Sequence, residues 1–408
     1  MGLGFLALAL NARALGIHDL GVLAVYQAAG ALISGWLSLG MQHPLIRFGK
    51  ESLDNGDYSH LKLVVSISFY TDWLVALAGG LACLAFFMLF HKHSEIDAVL
   101  FSATLIWLLP VATSGIASAT GAFRLLGRFD LLSLSQLVQP LLWVAASAIL
   151  HAGDKPLPYY VGAFAIVMLI QNITIISISL FLLHSRNTGL VKLSEIVKHP
   201  DLIRSSVKYG ATSQVASFMN GFRSGGDVLI LNAVSTPTQV AMYTVARQYA
   251  AVLNKLSSSL SSVMFPEAVA LYNRGEFDVA QNVLSRFIKY SLGIGAVAIA
   301  GAVLLGDLVY DVSLGEDTKG GNVVLPLQMA AAVIFMSGSI FGGFVQAFHG
   351  PRKLIRVYAI SLVFFIVAAA PLSYLLGAAG AAIAQAIFAA SVWISSSWTL
   401  RPILRKRG

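Results

Sequence analysis

A helix needs about twenty apolar residues in a row to cross the hydrocarbon of a bilayer, and this 408-residue chain repeats such runs from end to end. They read as spans at 2–15, 20–46, 63–90, 98–123, 131–150, 159–184, 206–232, 239–265, 288–312, 323–348, 354–376 and 379–400, twelve in all. Only 11% of the residues are charged, against about 25% in an ordinary soluble domain. A mean hydropathy of +0.77 excludes a soluble protein of this size. The expected class is an all-α polytopic membrane protein.

The 27 Lys and Arg residues check the count independently. Twenty fall in the loops that follow even-numbered spans or in the tail "RPILRKRG"; four (Arg13, Lys92, Lys155 and Lys319) fall on the opposite side. Under the positive-inside rule this bias places both termini in the cytoplasm. The net charge of +8 is scattered in short clusters, which fits topology signals and not a nucleic-acid stripe. The one cysteine, Cys83, has no partner for an internal disulfide and reads as a small buried apolar residue. No basic region precedes the first apolar run, so no secretory signal peptide is expected.

Enzyme motifs are missing. There is no GxxxxGKS/T phosphate loop, no HExxH, no CxxC and no GxSxG. The loops are short, so no catalytic residue, cofactor or metal site is expected. "HKH" at His91–His93 is only a two-residue metal signal in a loop.

The two halves echo each other. "LNARALGIHDLGVLAVY" at Leu10–Tyr26 aligns with "LNAVSTPTQVAMYTVA" at Leu231–Ala246, "NGDY" at Asn55–Tyr58 with "RGEF" at Arg274–Phe277, and "GAFAI" at Gly162–Ile166 with "GAAIA" at Gly380–Ala384. Each match lies about 220 residues from its partner, the pattern of two parallel six-helix repeats. The expected organisation is therefore an N-terminal lobe over 1–185, a linker over 186–205 and a C-terminal lobe over 206–408. Measured against the second repeat, the first span reads as truncated. In the linker, Leu190, Leu193, Ile196 and Val197 share one helical face, which predicts an amphipathic helix on the inner leaflet.

Three of the cations, Arg223, Arg247 and Lys255, lie within spans. At 100° per residue, Ser213, Ser217, Asn220, Ser224 and Asp227 of the seventh span fall within about 80° of one another. Tyr243, Arg247, Asn254, Ser258 and Ser261 make a second seam on the eighth, with Lys255 at its edge. A lipid-facing Arg or Lys costs at least ~2.5 kcal/mol at mid-bilayer, so these seams face protein or water. Asp227 stands four residues after Arg223 and is expected to offset that one charge. Two readings of the remainder are open. One is a water-filled cationic cavity for an anionic substrate, with Arg suited to bidentate phosphate contacts. The other is a set of interhelical salt bridges, to which Asp72 of "SFYTDWLV" contributes, best placed for Lys255. Asp72 is also a candidate ion-coupling site. The Gly225–Gly226 pair, Pro140 and Pro371 mark expected hinges.

"NARALGIHDLGVLAVYQ", "GMQHPLIRF" and the block from "YGATSQVASFMNGFRSGGDVLILN" through "MYTVARQYAAVLNKLSSSLSSVMFPEAVALYNRGEF" together resemble the polysaccharide transporters of the multidrug/oligosaccharidyl-lipid/polysaccharide (MOP) exporter superfamily. Ala241 stands where that family often has glycine. The resemblance implies two six-helix lobes around a central cavity that opens alternately to each side of a bacterial inner membrane. It implies an undecaprenyl-pyrophosphate-linked oligosaccharide as substrate, flipped to the periplasmic leaflet. Its implied partners are that lipid, the membrane lipids, and the polymerase and chain-length proteins of polysaccharide assembly. Substrate-binding residues on this reading are Asn220, Arg223, Asp227, Tyr243, Arg247, Asn254 and Lys255. A cation-coupled drug or metabolite antiporter of the same superfamily and a membrane scaffold for polysaccharide assembly are the alternatives.

Overall fold

The computed structural model describes residues 2–90, 98–223, 225–314 and 321–405, and every element in them is helical. The chain forms α1 (Gly2–Trp36), α2 (Gln42–Asp54), α3 (Tyr58–Phe90), α4 (Ala98–Ala112), α5 (Ala117–Leu125), α6 (Phe129–Ser135), α7 (Val138–Ala152) and α8 (Leu157–Ser185). After the short α9 (Leu193–Ile196) come α10 (Pro200–Arg223), α11 (Gly226–Val234), α12 (Pro237–Arg274) and α13 (Phe277–Leu314). The last three are α14 (Gly321–His349), α15 (Pro351–Leu376) and α16 (Ala378–Arg405). Among the described residues, nine helical stretches are long and apolar enough to cross a membrane. α10 and α12 are not among these, because their polar residues lower their hydropathy, and α11, at nine residues, is too short. α1 holds two expected spans, and Gly16, at φ 72° and ψ 171°, breaks it between them.

The helices pack into two compact units, residues 29–218 and residues 1–28 with 219–408. These packing units are drawn differently from the sequence halves, which describe the repeat. Residues 1–28 belong with the second half because Leu20, Ala24 and Ala28 share a core with Val240, Tyr243 and Ala382. In that unit α14 is the most enclosed span, while α13 turns Val297, Val303 and Leu304 outward as lipid-facing surface. The unit 29–218 centres on Leu45, Leu61, Val65, Phe69 and Phe123.

Four expected spans are interrupted where the sequence reading ran them straight. The breaks fall at 37–41, 113–116, 136–137 and just after Arg223. An interrupted helix frees backbone groups that lipid cannot satisfy, so side chains must do it. Two adjacent residues of α8 serve two of the breaks. Gln171 accepts from the Gln139 amide at 2.8 Å and donates to the Ser135 carbonyl at 2.9 Å, bridging α6 to α7. Asn172 donates to the Pro110 carbonyl at 3.1 Å and to Thr113 Oγ1 at 3.2 Å, closing the end of α4. Both are buried. Of the expected hinges, the Gly225–Gly226 pair is a break, Pro140 starts α7 within its first turn, and α15 runs through Pro371.

The "NGDY" and "RGEF" repeats form the same turn. Gly56 has φ 70° and Gly275 φ 71°, the left-handed conformation that glycine adopts without a Cβ clash. Asp57 N donates to Ser52 O at 2.9 Å and Glu276 N to Leu271 O at 3.0 Å; Tyr58 N donates to Gly56 O at 3.2 Å and Phe277 N to Gly275 O at 3.1 Å. Matching hydrogen bonds at matching positions make the internal repeat a structural one here.

The linker differs from its expected form. Its helical parts are the four residues of α9 and the start of α10 from Pro200, and the apolar face divides: Ile196 is buried and Leu190 half-buried, whereas Leu193 and Val197 are exposed. Val191 N donates to Ser66 Oγ at 2.8 Å and Tyr70 Oη to Val191 O at 3.3 Å, which fastens the segment to α3. Cys83 is half-buried. His91–His93 lies outside the described residues.

Replacing Gln171 by Leu is expected to strand one buried donor and one buried acceptor, at about 1–3 kcal/mol each. The unfolding midpoint of the Gln171→Leu protein in detergent, followed by tryptophan fluorescence, should fall clearly below wild type, while an exposed lipid-facing change such as Leu304→Ala leaves it in place.

Candidate functional site

The break after Arg223 decides the local chemistry. An Arg223–Asp227 contact at i,i+4 needs one continuous helix, but α10 ends at Arg223 and α11 begins at Gly226, after Gly225 at φ −142° and ψ −37°. Asp227 therefore starts a new helix, and the partners seen among the described residues come from α12 and α16. Its Oδ1 accepts from Arg247 Nη1 at 3.2 Å, and its Oδ2 accepts from Tyr243 Oη at 2.6 Å and from Gln385 Nε2 at 2.8 Å. The Val228 amide adds a donor to Oδ1 at 2.8 Å. The carboxylate thus ties together α11, α12 and α16.

Burial gives this cluster its weight. The Asp227 side chain is 1% exposed and that of Arg247 31%; Tyr243 and Gln385 are buried. A buried carboxylate is tolerable when it is paired and its lone pairs are satisfied, and here both conditions hold. The half-exposed guanidinium is held in one orientation by an anchor that water does not reach. Tyr243 is fixed by the core around it, beside Tyr310, whose hydroxyl donates to the Met242 carbonyl at 2.9 Å.

The sequence-expected residues divide accordingly. Asp227, Tyr243 and Arg247 are brought together. Asn254 is half-buried on the Arg247 face of α12, and its Oδ1 accepts no hydrogen bond among the described residues. Lys255 is exposed one position further, about 12 Å along the helix from Arg247. The side chains of Asn220 and Arg223, and Ser224 entirely, lie outside the described residues. Asp72 belongs to the other unit. Gln385 is the member that the seam analysis missed, although a lone glutamine in the alanine-rich "AAIAQAIFAA" is the kind of intramembrane polar residue that marks a site.

Comparison with known proteins places this geometry. The fold is that of the MOP transporters: a multidrug resistance MATE family transporter of that superfamily, solved in an inward-facing conformation, matches at TM-score 0.75 with 14% identity, covering 100% of this chain and 96% of that one. The lipid II flippase MurJ, in an inward closed conformation, matches at TM-score 0.73 with 14% identity, covering 98% and 85%. The family model described as "Polysaccharide biosynthesis protein" matches residues 1–271, and the chain belongs to that family. A relative from Haloferax volcanii, the probable low-salt glycan biosynthesis flippase Agl15, is 23% identical over 391 residues, covering 95% of this chain and 77% of its own length. The family implied by the sequence motifs and the all-α polytopic membrane class are thus borne out.

The cluster predicts an ordering. Arg247→Met leaves a sealed carboxylate without its cation, whereas Asp227→Asn leaves a guanidinium that can turn to solvent. The unfolding midpoint should drop further for Arg247→Met than for Asp227→Asn, and the double variant should recover part of the loss. A coupling of about 1–3 kcal/mol is expected for residues in one network; additive losses would contradict the pairing.

Proposed function

We propose that the chain is a flippase that carries an undecaprenyl-pyrophosphate-linked oligosaccharide from the cytoplasmic to the periplasmic leaflet by alternating access. Its place on this reading is a bacterial inner membrane, with twelve spans in two six-helix lobes and both termini in the cytoplasm. Lipid-linked oligosaccharide and membrane lipids are the partners it meets directly, with a polymerase and chain-length proteins acting downstream.

One observation carries the reading: a guanidinium, Arg247, is oriented by a buried carboxylate yet 31% exposed, on a helix that also presents Lys255. A fixed guanidinium offers paired N–H groups in the geometry that phosphate oxygens accept. The Lys255 ammonium adds a point charge without imposing direction. Asn254 on the Arg247 face offers an amide to sugar hydroxyls. The relationship to Agl15, itself described as a probable flippase of glycan biosynthesis, supports a flippase role in glycan assembly. An antiporter of cationic drugs would want an accessible carboxylate, but Asp72 and Asp227 are both buried.

The test is surface polysaccharide in a host whose own flippase gene is deleted. Because Arg247→Met alone strands Asp227, the informative variants are Lys255→Ala and the Arg247→Met/Asp227→Asn double. A lost charge-assisted contact is worth about 1.5–3 kcal/mol, so each should lower polymer output roughly tenfold or more with membrane insertion unchanged. Full output from both together would remove the charged-site mechanism and leave a scaffold role.

A further inference from the structure

Asp72 has no part in the cluster described above, and its surroundings are unusual. It sits in α3 with its side chain fully buried. Its Oδ2 accepts from the Ser118 amide at 2.6 Å, in the first turn of α5. Its Oδ1 is sealed from solvent and makes no hydrogen bond among the described residues. The hydroxyl of Ser114, in the α4–α5 break, is likewise buried without a partner. Around α3 pack α2, α4, α5 and α9. Among the described residues none of these sets a charged or titratable group against the carboxyl; its neighbour is the neutral Ser118.

Within its own unit Asp72 thus meets a backbone amide and no cation among the described residues. One amide at a helix N-terminus does not offset a full charge in a dry site; an isolated buried carboxylate is among the costliest groups a protein can hold. Something must neutralise it. A metal ion needs a shell of oxygens and room to stand among them. The α3 backbone is packed closely on the break, a Cβ built on Gly115 lying 2.7 Å from the Asp72 carbonyl oxygen, and among the described residues no group of three or more His, Cys, Asp or Glu gathers that could hold a metal ion. A proton needs no such room.

We propose that Asp72 is a proton-exchange site, with the proton bound at Oδ1 and the α4–α5 break at 113–116 as the element that admits water to it. In the closed arrangement the neutral carboxyl keeps Oδ2 on the Ser118 amide. Losing the proton to water leaves a carboxylate that needs further donors, and the buried Ser114 hydroxyl of the break, which has no partner among the described residues, is a donor that a movement of the break can turn toward it. If the transport reading above holds, the proton is the coupling ion; the site itself does not depend on that reading, and the experiment below measures no transport.

The experiment is infrared difference spectroscopy of the full chain in lipid bilayers, titrated with acid and base and repeated in D2O. The expected result is a protonated-carboxyl C=O band that titrates, shifts in D2O and is lost in Asp72→Asn. Ser118→Ala keeps the main-chain donor, so it should retain the band but move its frequency or midpoint. If Asp72→Asn fails to fold, the Ser118→Ala shift still assigns the band, and a band that ignores this change overturns the proposal. Asp72→Asn spectra identical to wild type overturn it as well. So does a midpoint that moves when Na+ replaces K+, which would make the site one for an alkali cation.

Discussion

Inside a bilayer there is no water to complete a hydrogen bond or screen a charge, so each polar group must find its partner within the protein. Asp227 is where this constraint bears hardest on residues 1–28 and 219–408. One carboxylate, 1% exposed, draws donors from α12 and α16 onto the first turn of α11. Any one of those donors is a modest contribution. Together they convert an intolerable buried charge into a fixed point, and the orientation of Arg247 follows from it. The local architecture and the proposed chemistry thus share one cause.

The same constraint shapes residues 29–218 by a different route. There the polar groups needing partners belong to interrupted helices, and neutral amides supply them: Gln171 and Asn172, neighbours in sequence, stitch two separate breaks. Asp72 is the exception, a carboxylate that meets a helix break instead of a cation. A helix can be interrupted within a membrane when a side chain from a neighbour takes over its hydrogen bonds, and such a break is then a place where the chain can bend without melting.

Much of this was legible in the sequence because composition and period-driven signals are strong in membrane proteins. The apolar runs located some helices to within a few residues, the expected spans at 323–348 and 354–376 becoming Gly321–His349 and Pro351–Leu376, whereas α12 runs on to Arg274 and α13 starts at Phe277, well outside 239–265 and 288–312. The "NGDY" and "RGEF" echoes turned out to be identical left-handed glycine turns. What hydropathy does not register is interruption. Ser114–Gly115 is the kind of Ser–Gly pair at which a helix breaks, and Gly225 precedes the start of α11, yet such residues leave the local hydropathy of their spans almost unchanged. That omission hid Arg247 as a partner of Asp227, because an i,i+4 argument is only as good as the continuity of its helix. Gln385 was missed for a related reason: its role depends on a contact 158 residues away in sequence, and periodicity within one helix is blind to that.

The central claim is that the half-exposed Arg247 and its neighbour Lys255 recognise a diphosphate. The most direct measurement is binding of undecaprenyl pyrophosphate, undecaprenyl phosphate and undecaprenol to the purified protein by native mass spectrometry. Affinity is expected to rise with each phosphate, and the step from alcohol to diphosphate should shrink when Lys255 is Ala. Equal binding of all three lipids, with or without Lys255, would contradict it.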